Sequence, residues 1–212
     1  MHRPALALSL AAALALALAA PAGAAPAAYS AAERAELDRV SAALNAIKTL
    51  KGTFVQIDPD GDVEQGTFAI AKPGRMRFEY RPPAPTLIVS DGRTVAVQNA
   101  KLRTFDRYPL DQTPLGLILG DDVDLAHSHE IVGVSRQPDA FVIKARSRGG
   151  RAGGNITITF SEPGLELRQW SVVDNQGLTT TVSLGNVVAG ADVSGISFAV
   201  PARNPYARSA AN

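Results

Sequence analysis

Cysteine is absent from all 212 residues, which excludes disulfide staples, thiolate chemistry, zinc ribbons and iron–sulfur clusters, and removes any N-terminal cysteine for lipid attachment. An excess of charge of either sign is also missing. Lysine and arginine total 21 against 20 for aspartate and glutamate, and Arg3 is the only one of them before residue 25, so the chain from residue 25 onward balances to zero. A nucleic-acid binder usually carries a basic surplus that displaces phosphate counterions, so no nucleic-acid partner is expected. Compact catalytic signatures are missing as well: no G-x-S-x-G elbow, no phosphate-cradling lysine loop and no H-E-x-x-H occur. What is plentiful is apolar side chain, 46% of residues, which excludes a disordered chain and suits one packed domain.

The longest apolar run lies at the start. Met1 to Arg3 form a short basic stretch, an Ala/Leu-rich run extends from Ala5 to Ala20, and Pro21 and small residues follow. This pattern reads as a secretory signal peptide over residues 1–24, with Ala22-Gly23-Ala24 as the cleavage site. The run is shorter than the about 20 apolar residues needed to span a bilayer, so an exported, soluble mature protein is expected. The expected domain then covers residues 25–202. Residues 203–212 are rich in Ala, Asn and Arg without apolar periodicity and are expected to be a flexible tail.

Ser30 followed by Glu33 fits a capping box, and Leu37, Val40, Leu44 and Ile47 recur at helical spacing, so an amphipathic helix opens the domain. From Leu50 onward the pattern changes to short runs rich in Val, Ile, Thr and Phe. Turn signals separate them at Asp58 to Asp62, Lys72 to Arg75, Asp91-Gly92, Pro138-Asp139, Gly149 to Gly154, Glu162 to Gly164 and Asn175 to Gly177. In the clearest run Met76, Phe78 and Tyr80 face one way, and Arg75, Arg77, Glu79 and Arg81 face the other, toward solvent or an acidic partner surface. Phe141, Ile143, Ala145 and then Ile156, Ile158, Phe160 repeat the alternation. About ten such strands are too many for a flat exposed sheet, so the sheet must curl and its apolar face must be covered. The first helix is one cover. Thr113 to Leu119 is a second, read as a helix entered at Thr113-Pro114, although a short apolar run of this kind also fits a strand.

Few residues invite chemistry. His127 and His129 alternate in a strand-like stretch, but no third ligand stands at defined spacing, and no metal site is assigned. Asp58-Pro59-Asp60-Gly61-Asp62 resembles the opening of a calcium loop, yet no glutamate follows at the required distance, so it reads as a hairpin turn. No catalytic residue and no cofactor are expected. A curled sheet with an excess of apolar side chains under two helices suits either of two interiors: a cavity for a lipid or acyl chain, or a dry core filled by the helices.

The segments between the first helix and the lid are more specific than their composition. Gly52-Thr53-Phe54-Val55-Gln56, Gly66-Thr67-Phe68, Lys72-Pro73-Gly74-Arg75-Met76-Arg77-Phe78-Glu79-Tyr80, Leu87-Ile88-Val89-Ser90-Asp91-Gly92 and Thr113-Pro114-Leu115 fall in the order and spacing of the LolA family. The resemblance is dense from about Leu37 to Leu119. It implies an incomplete antiparallel β-barrel, a half-barrel mostly of β structure, covered by two or three helices over a hydrophobic cavity. It also implies a periplasmic carrier without enzymatic activity. Such a carrier takes acylated lipoproteins from an inner-membrane lipoprotein-releasing ABC transporter complex, shields their acyl chains and passes them to an outer-membrane lipoprotein acceptor, working here as a monomer. The implied cavity residues are Phe54, Met76, Phe78, Tyr80, Leu87, Val89, Leu115 and Ile118. In the family an arginine before the proline of the turn into the third strand bonds to the lid. The matching position here is Lys72, facing Ile118 and Leu119, with Arg75 as the substitute latch. A related half-barrel that carries or senses free lipid or glycolipid would share every one of these features.

Overall fold

The computed structural model describes residues 29–147 and 154–207. The signal peptide, its cleavage site, most of the Gly149 to Gly154 turn and the end of the expected tail lie outside the described residues.

Helix α1, Ala31–Ala46, starts as the sequence dictates. Ser30 Oγ accepts from the Glu33 N–H at 3.2 Å while the Ser30 N–H donates to Glu33 Oε2 at 2.8 Å, so two orphan donors of the first turn are satisfied reciprocally. Leu37, Val40 and Leu44 are buried and point at the sheet.

Among the described residues eleven strands follow, against the about ten that the sequence pattern suggests. They are β1 Thr49–Ile57, β2 Val63–Ala71, β3 Arg75–Tyr80, β4 Thr86–Asp91, β5 Thr94–Asn99, β6 Thr104–Pro109, β7 Ile131–Arg136, β8 Ala140–Ser147, β9 Gly154–Ser161, β10 Leu167–Asp174 and β11 Thr179–Ala189. All pair antiparallel in one open sheet of order β6-β5-β4-β3-β2-β1-β11-β10-β9-β8-β7. The sheet therefore consists of two meanders, β1–β6 and β7–β11, joined where β1 pairs with β11.

The sheet curls. Strands β3 and β10 stand four positions apart, about 19 Å in a flat sheet, yet the Phe78 and Trp170 rings meet with centroids 5.8 Å apart. Glycine makes room for the inward rings where strands crowd. A Cβ on Gly66 would come within 2.5 Å of the Phe54 ring and 2.2 Å of the Glu79 carbonyl oxygen, so this position admits no side chain. The result is a half-barrel whose concave face carries one continuous apolar cluster, from Leu50, Phe54, Phe68 and Ile70 round to Phe141, Ile143, Ile156, Ile158 and Phe160.

The connection from β6 to β7 closes the concave face. It contains a single 3-10 turn, Leu110–Gln112, and a four-residue helix α2, Gly116–Leu119. The segment from Thr113 is thus helical, but only for one turn. Gly120 ends it with extended backbone. His127 and His129 sit in the following loop rather than in a strand, because the residues around them have no ladder partner. His127 Nδ1 lies 2.9 Å from Asp124 Oδ2 on the exposed side of that loop, and no group of three or more metal-ligating side chains occurs among the described residues. The Asp58 to Asp62 segment is the expected hairpin turn, with Asp58 Oδ1 accepting from the Asp60 and Asp62 N–H groups.

After β11 the chain does not return to the concave face. Residues 191–207 run as a strap across the convex face, turning at 193–196 and again at 204–207. The stretch 203–207, expected to be part of a flexible tail, contains a turn in which the Tyr206 N–H donates to Asn204 Oδ1 at 2.8 Å.

Candidate functional site

Five aromatic side chains build the floor of the concave face. Phe78 is central: it meets Phe54 edge-on at 5.0 Å, stacks on Phe68 at 5.5 Å and meets Trp170 edge-on at 5.8 Å. Phe54 also meets Tyr80 at 4.9 Å. These are favourable offset and edge geometries. Tyr80 marks the polar end of the floor. Its hydroxyl donates to Gln56 Oε1 at 2.6 Å, and Gln56 Nε2 donates to Glu64 Oε2 at 3.3 Å. Burial, with the Glu64 carboxylate adding to it, drives the Tyr80 phenol well above its ordinary range. Glu64 is itself raised, first by desolvation and then by Asp58 and Asp62 in the adjacent turn. The far end of the floor, at Ile70 and Met76, is wholly apolar and lies under the lid.

Lid and floor enclose almost nothing. Leu115, Ile118 and Leu119 descend from α2 onto Ile70, Met76, Phe78, Leu167 and Trp170, leaving a cavity of about 10 Å³, roughly the space a single water requires. Hollows of about 630 to 720 Å³ open on the outside as grooves. In this state the lid side chains occupy the barrel.

The lid is held by backbone and by α1. The Gly74 N–H, in the turn from β2 to β3, donates to the Leu119 carbonyl at 2.8 Å. Asn45 of α1 clamps the segment behind the lid, donating to the Val123 carbonyl and accepting from the Val123 N–H, both at 2.9 Å. Ser41 adds a third hold, its Oγ accepting from the Leu125 N–H at 3.0 Å while donating to the Leu37 carbonyl at 2.7 Å.

Six of the eight expected cavity residues meet at this site: Phe54, Met76, Phe78, Tyr80, Leu115 and Ile118. Leu87 and Val89 do not, and the ladder register gives the reason. Val89 pairs with Arg77 and Leu87 with Glu79, and directly opposed residues in an antiparallel pair share a face. Both therefore project from the convex face, while Ile88 and Ser90 take the concave positions. The sequence run Leu87-Ile88-Val89 is apolar throughout and carries no alternation from which parity could be read. The latch expectation is likewise corrected. Lys72 Nζ donates at 2.9 Å to the Leu44 carbonyl in the last turn of α1, where a cation complements the helix dipole; it does not bond Ile118 or Leu119. Burial and the neighbouring Lys48 lower its pKa, and Asp121 opposes them. Arg75 points outward, its guanidinium 5.7 Å from the centre of the Phe198 ring. The residues that sequence reasoning passed over are Phe68, Ile70, Leu167 and Trp170. Alternation of Phe68 and Ile70 with Thr67 and Ala69 was a usable signal, as was the single tryptophan of the chain; Leu167 carried none.

No helix among the described residues is long and apolar enough to cross a membrane. A family model described as outer membrane lipoprotein carrier protein LolA matches residues 45–200. The outer-membrane lipoprotein carrier protein of Bordetella pertussis is 29% identical over 182 residues, covering 79% of this chain and 82% of that one. That of Dechloromonas aromatica is 27% identical over 161 residues, 71% and 76% of the two chains. Among solved structures, a LolA superfamily protein from Nitrosomonas europaea aligns with a TM-score of 0.39 and 10% identity over 77% of this chain and 97% of that one. The matched residues take in all eleven strands and the lid, and on that breadth the chain belongs to the LolA family.

Proposed function

We propose that this protein is a periplasmic lipoprotein carrier that shelters the acyl chains of its cargo on the aromatic floor beneath α2. The family is one of transport proteins, not enzymes, and the carrier role asks for no covalent chemistry and no cofactor. Residues 1–24 serve as the export signal, removed after Ala24. The mature chain works as a monomer, receiving lipoproteins from an inner-membrane ABC transporter complex and passing them to an outer-membrane acceptor.

The observation that carries this reading is the closed interior. A floor of Met76, Phe78 and Trp170 under a movable cover of Leu115, Ile118 and Leu119 is an apolar surface whose cover is itself removable, because the cover is one helical turn held by few bonds. When the lid lifts, the floor is exposed to water unless an acyl chain takes its place, and each methylene buried there contributes about 0.8 kcal/mol. The lid gives up comparable apolar contact when it lifts, so the net binding is far weaker than the sum over the chain, as delivery without an energy source requires.

A release assay tests the proposal. Purified mature protein is added to spheroplasts that hold a labelled outer-membrane lipoprotein, and the medium is analysed for a soluble complex. Release by the wild type, and its loss in Phe78→Glu and Ile118→Glu variants that keep the native circular dichroism spectrum, is the expected result. Failure of release by the wild type, with a free lipid recovered from extracts of the purified protein, would replace the lipoprotein cargo by free lipid on the same floor.

A further inference from the structure

The convex face holds a built seat for an extended chain. Ladder register aligns one residue from each of seven adjacent strands into a single transverse row: Arg107, Ala96, Val89, Arg77, Ala69, Lys51 and Val188. Ala69, Val89 and Ala96 are 3%, 1% and 0% exposed although none belongs to the interior cluster. The strap runs along this row, with Ile196 and Ser197 beside Ala69. Each cation of the row donates to a strap carbonyl: Lys51 Nζ to Asp192, Arg77 Nη1 to Ser197 and Arg107 Nη1 to Ala202, all at 3.4 Å. Arg103 continues the series beyond β6, donating to the Tyr206 carbonyl at 3.3 Å. The acceptors Ser197 and Ala202 are five residues apart, about 16 Å of extended chain, which matches the three-strand step of about 14 Å from Arg77 to Arg107. In the middle of the strap Ile196, Phe198 and Val200 are half-buried, alternating with exposed Ser197 and Ala199.

Two properties of this seat point past the strap. First, recognition is by backbone carbonyl, which any extended segment possesses. Second, the seat is cationic and its present occupant is nearly neutral. Residues 75–109 carry seven lysines and arginines against three acids, and the strap between 190 and 207 supplies only Asp192 and Arg203. Glu79 pairs with Arg77 Nε at 3.2 Å, Asp91 feels the Arg107 charge and the Asp192 carboxylate of the strap feels that of Lys51, but the hydrogen bonds from the row to the strap all go to neutral backbone carbonyls. Hydrogen bonds to an ionised acceptor are shorter and roughly twice as strong as neutral ones. We propose that the row of Lys51, Arg77 and Arg107 is a docking seat for an extended acidic segment of a partner protein, which binds the convex face by displacing the strap.

Fluorescence anisotropy on the full mature chain tests this, with a labelled twelve-residue peptide of alternating Glu and Val as probe and the Gln/Val peptide as control. The acidic peptide is expected to bind, more weakly as salt rises, and at least tenfold more tightly than the control. Arg77→Gln combined with Arg107→Gln should weaken it tenfold or more. Ile196→Ala combined with Val200→Ala, which loosens the strap without touching the row, should tighten it severalfold. The last result decides even where the double arginine variant folds poorly. Unchanged affinity on loosening the strap would place the peptide elsewhere and overturn the proposal, as would equal binding of the neutral peptide or no binding of the acidic one.

Discussion

Phe54 and Glu64 stand on adjacent strands, β1 and β2, and show what burial costs each kind of side chain. Phe54 is 1% exposed, wedged between Phe78 and Tyr80 with Gly66 beneath it. Its truncation leaves a hole that the surrounding rigid strands cannot collapse to fill, so Phe54→Ala should destabilise the fold by about 3–5 kcal/mol in urea unfolding. Glu64 tells the opposite story. Its pKa is raised in the folded state by desolvation and by Asp58 and Asp62, so the folded protein binds this proton more tightly than the unfolded chain. The sign follows: stability falls as pH rises from the unfolded carboxyl range through the raised folded pKa, and the penalty is complete above it. Glu64→Gln keeps an acceptor for Gln56 and removes the charge. The variant should therefore be more stable than wild type at pH 7 and equal to it below about pH 3.5, where Glu64 is neutral in both states. Paired urea titrations at the two pH values give the comparison, and a gain that persists undiminished at the lower pH would assign the effect to something other than charge.

Among the elements, α1 does more than cover the sheet. Its N-terminal half is tied to the far strands, Arg136 Nη1 reaching Glu36 Oε1 at 2.6 Å and Arg39 Nη2 reaching Glu162 Oε1 at 2.8 Å. Its C-terminal half grips the segment after the lid through Asn45 and Ser41. Removing the Asn45 amide leaves both polar groups of Val123 without their partner, at about 1–3 kcal/mol. Asn45→Leu should accordingly raise hydrogen exchange at the Ile118 and Leu119 amides about tenfold or more while leaving the β1, β2 and β11 ladders protected; equal protection in the two proteins would remove Asn45 from the lid's restraint. The elements were largely legible in the sequence, and the register was not. The capping box, the alternation in β3 and the turn residues located α1 and most strands, because those signals are local. What failed was whatever depended on a partner far along the chain. Leu87 and Val89 project from the convex face, which the sequence does not reveal because β4 shows no alternation and its parity is set by pairing with β3. Lys72 was matched to the lid because only the folded chain brings Leu44 within its reach.

For the molecule as a whole, charge and closure are laid out on opposite sides. Residues 110–130, which form the lid and its trailing loop, contain five acids and no lysine or arginine, while β3–β6 and their turns carry the basic surplus. A balanced net charge thus conceals a separation that can orient the molecule as it approaches a charged surface. Closure has a kinetic signature. With about 10 Å³ available beneath the lid, no acyl chain enters the closed form, so opening precedes binding. Stopped-flow mixing with a fluorescent fatty acid, read by Trp170 emission, should give rates that level off as the probe concentration rises. Asn45→Leu should raise the plateau. Rates that climb linearly to diffusion-limited values would mean that the floor is reached without opening.

The packing of Leu115, Ile118 and Leu119 into the half-barrel also bears on how the proposed handover would run downhill with no fuel. The resting protein is in effect a complex with a piece of itself, one greasy insert standing in for another. Under the proposed carrier role, loading would swap the insert instead of filling an empty hole, and unloading would swap it back. Because apolar contact is given up and regained in similar amount at each exchange, neither direction is steep, and a modest difference in grip at the receiving end suffices to decide which way the cargo moves.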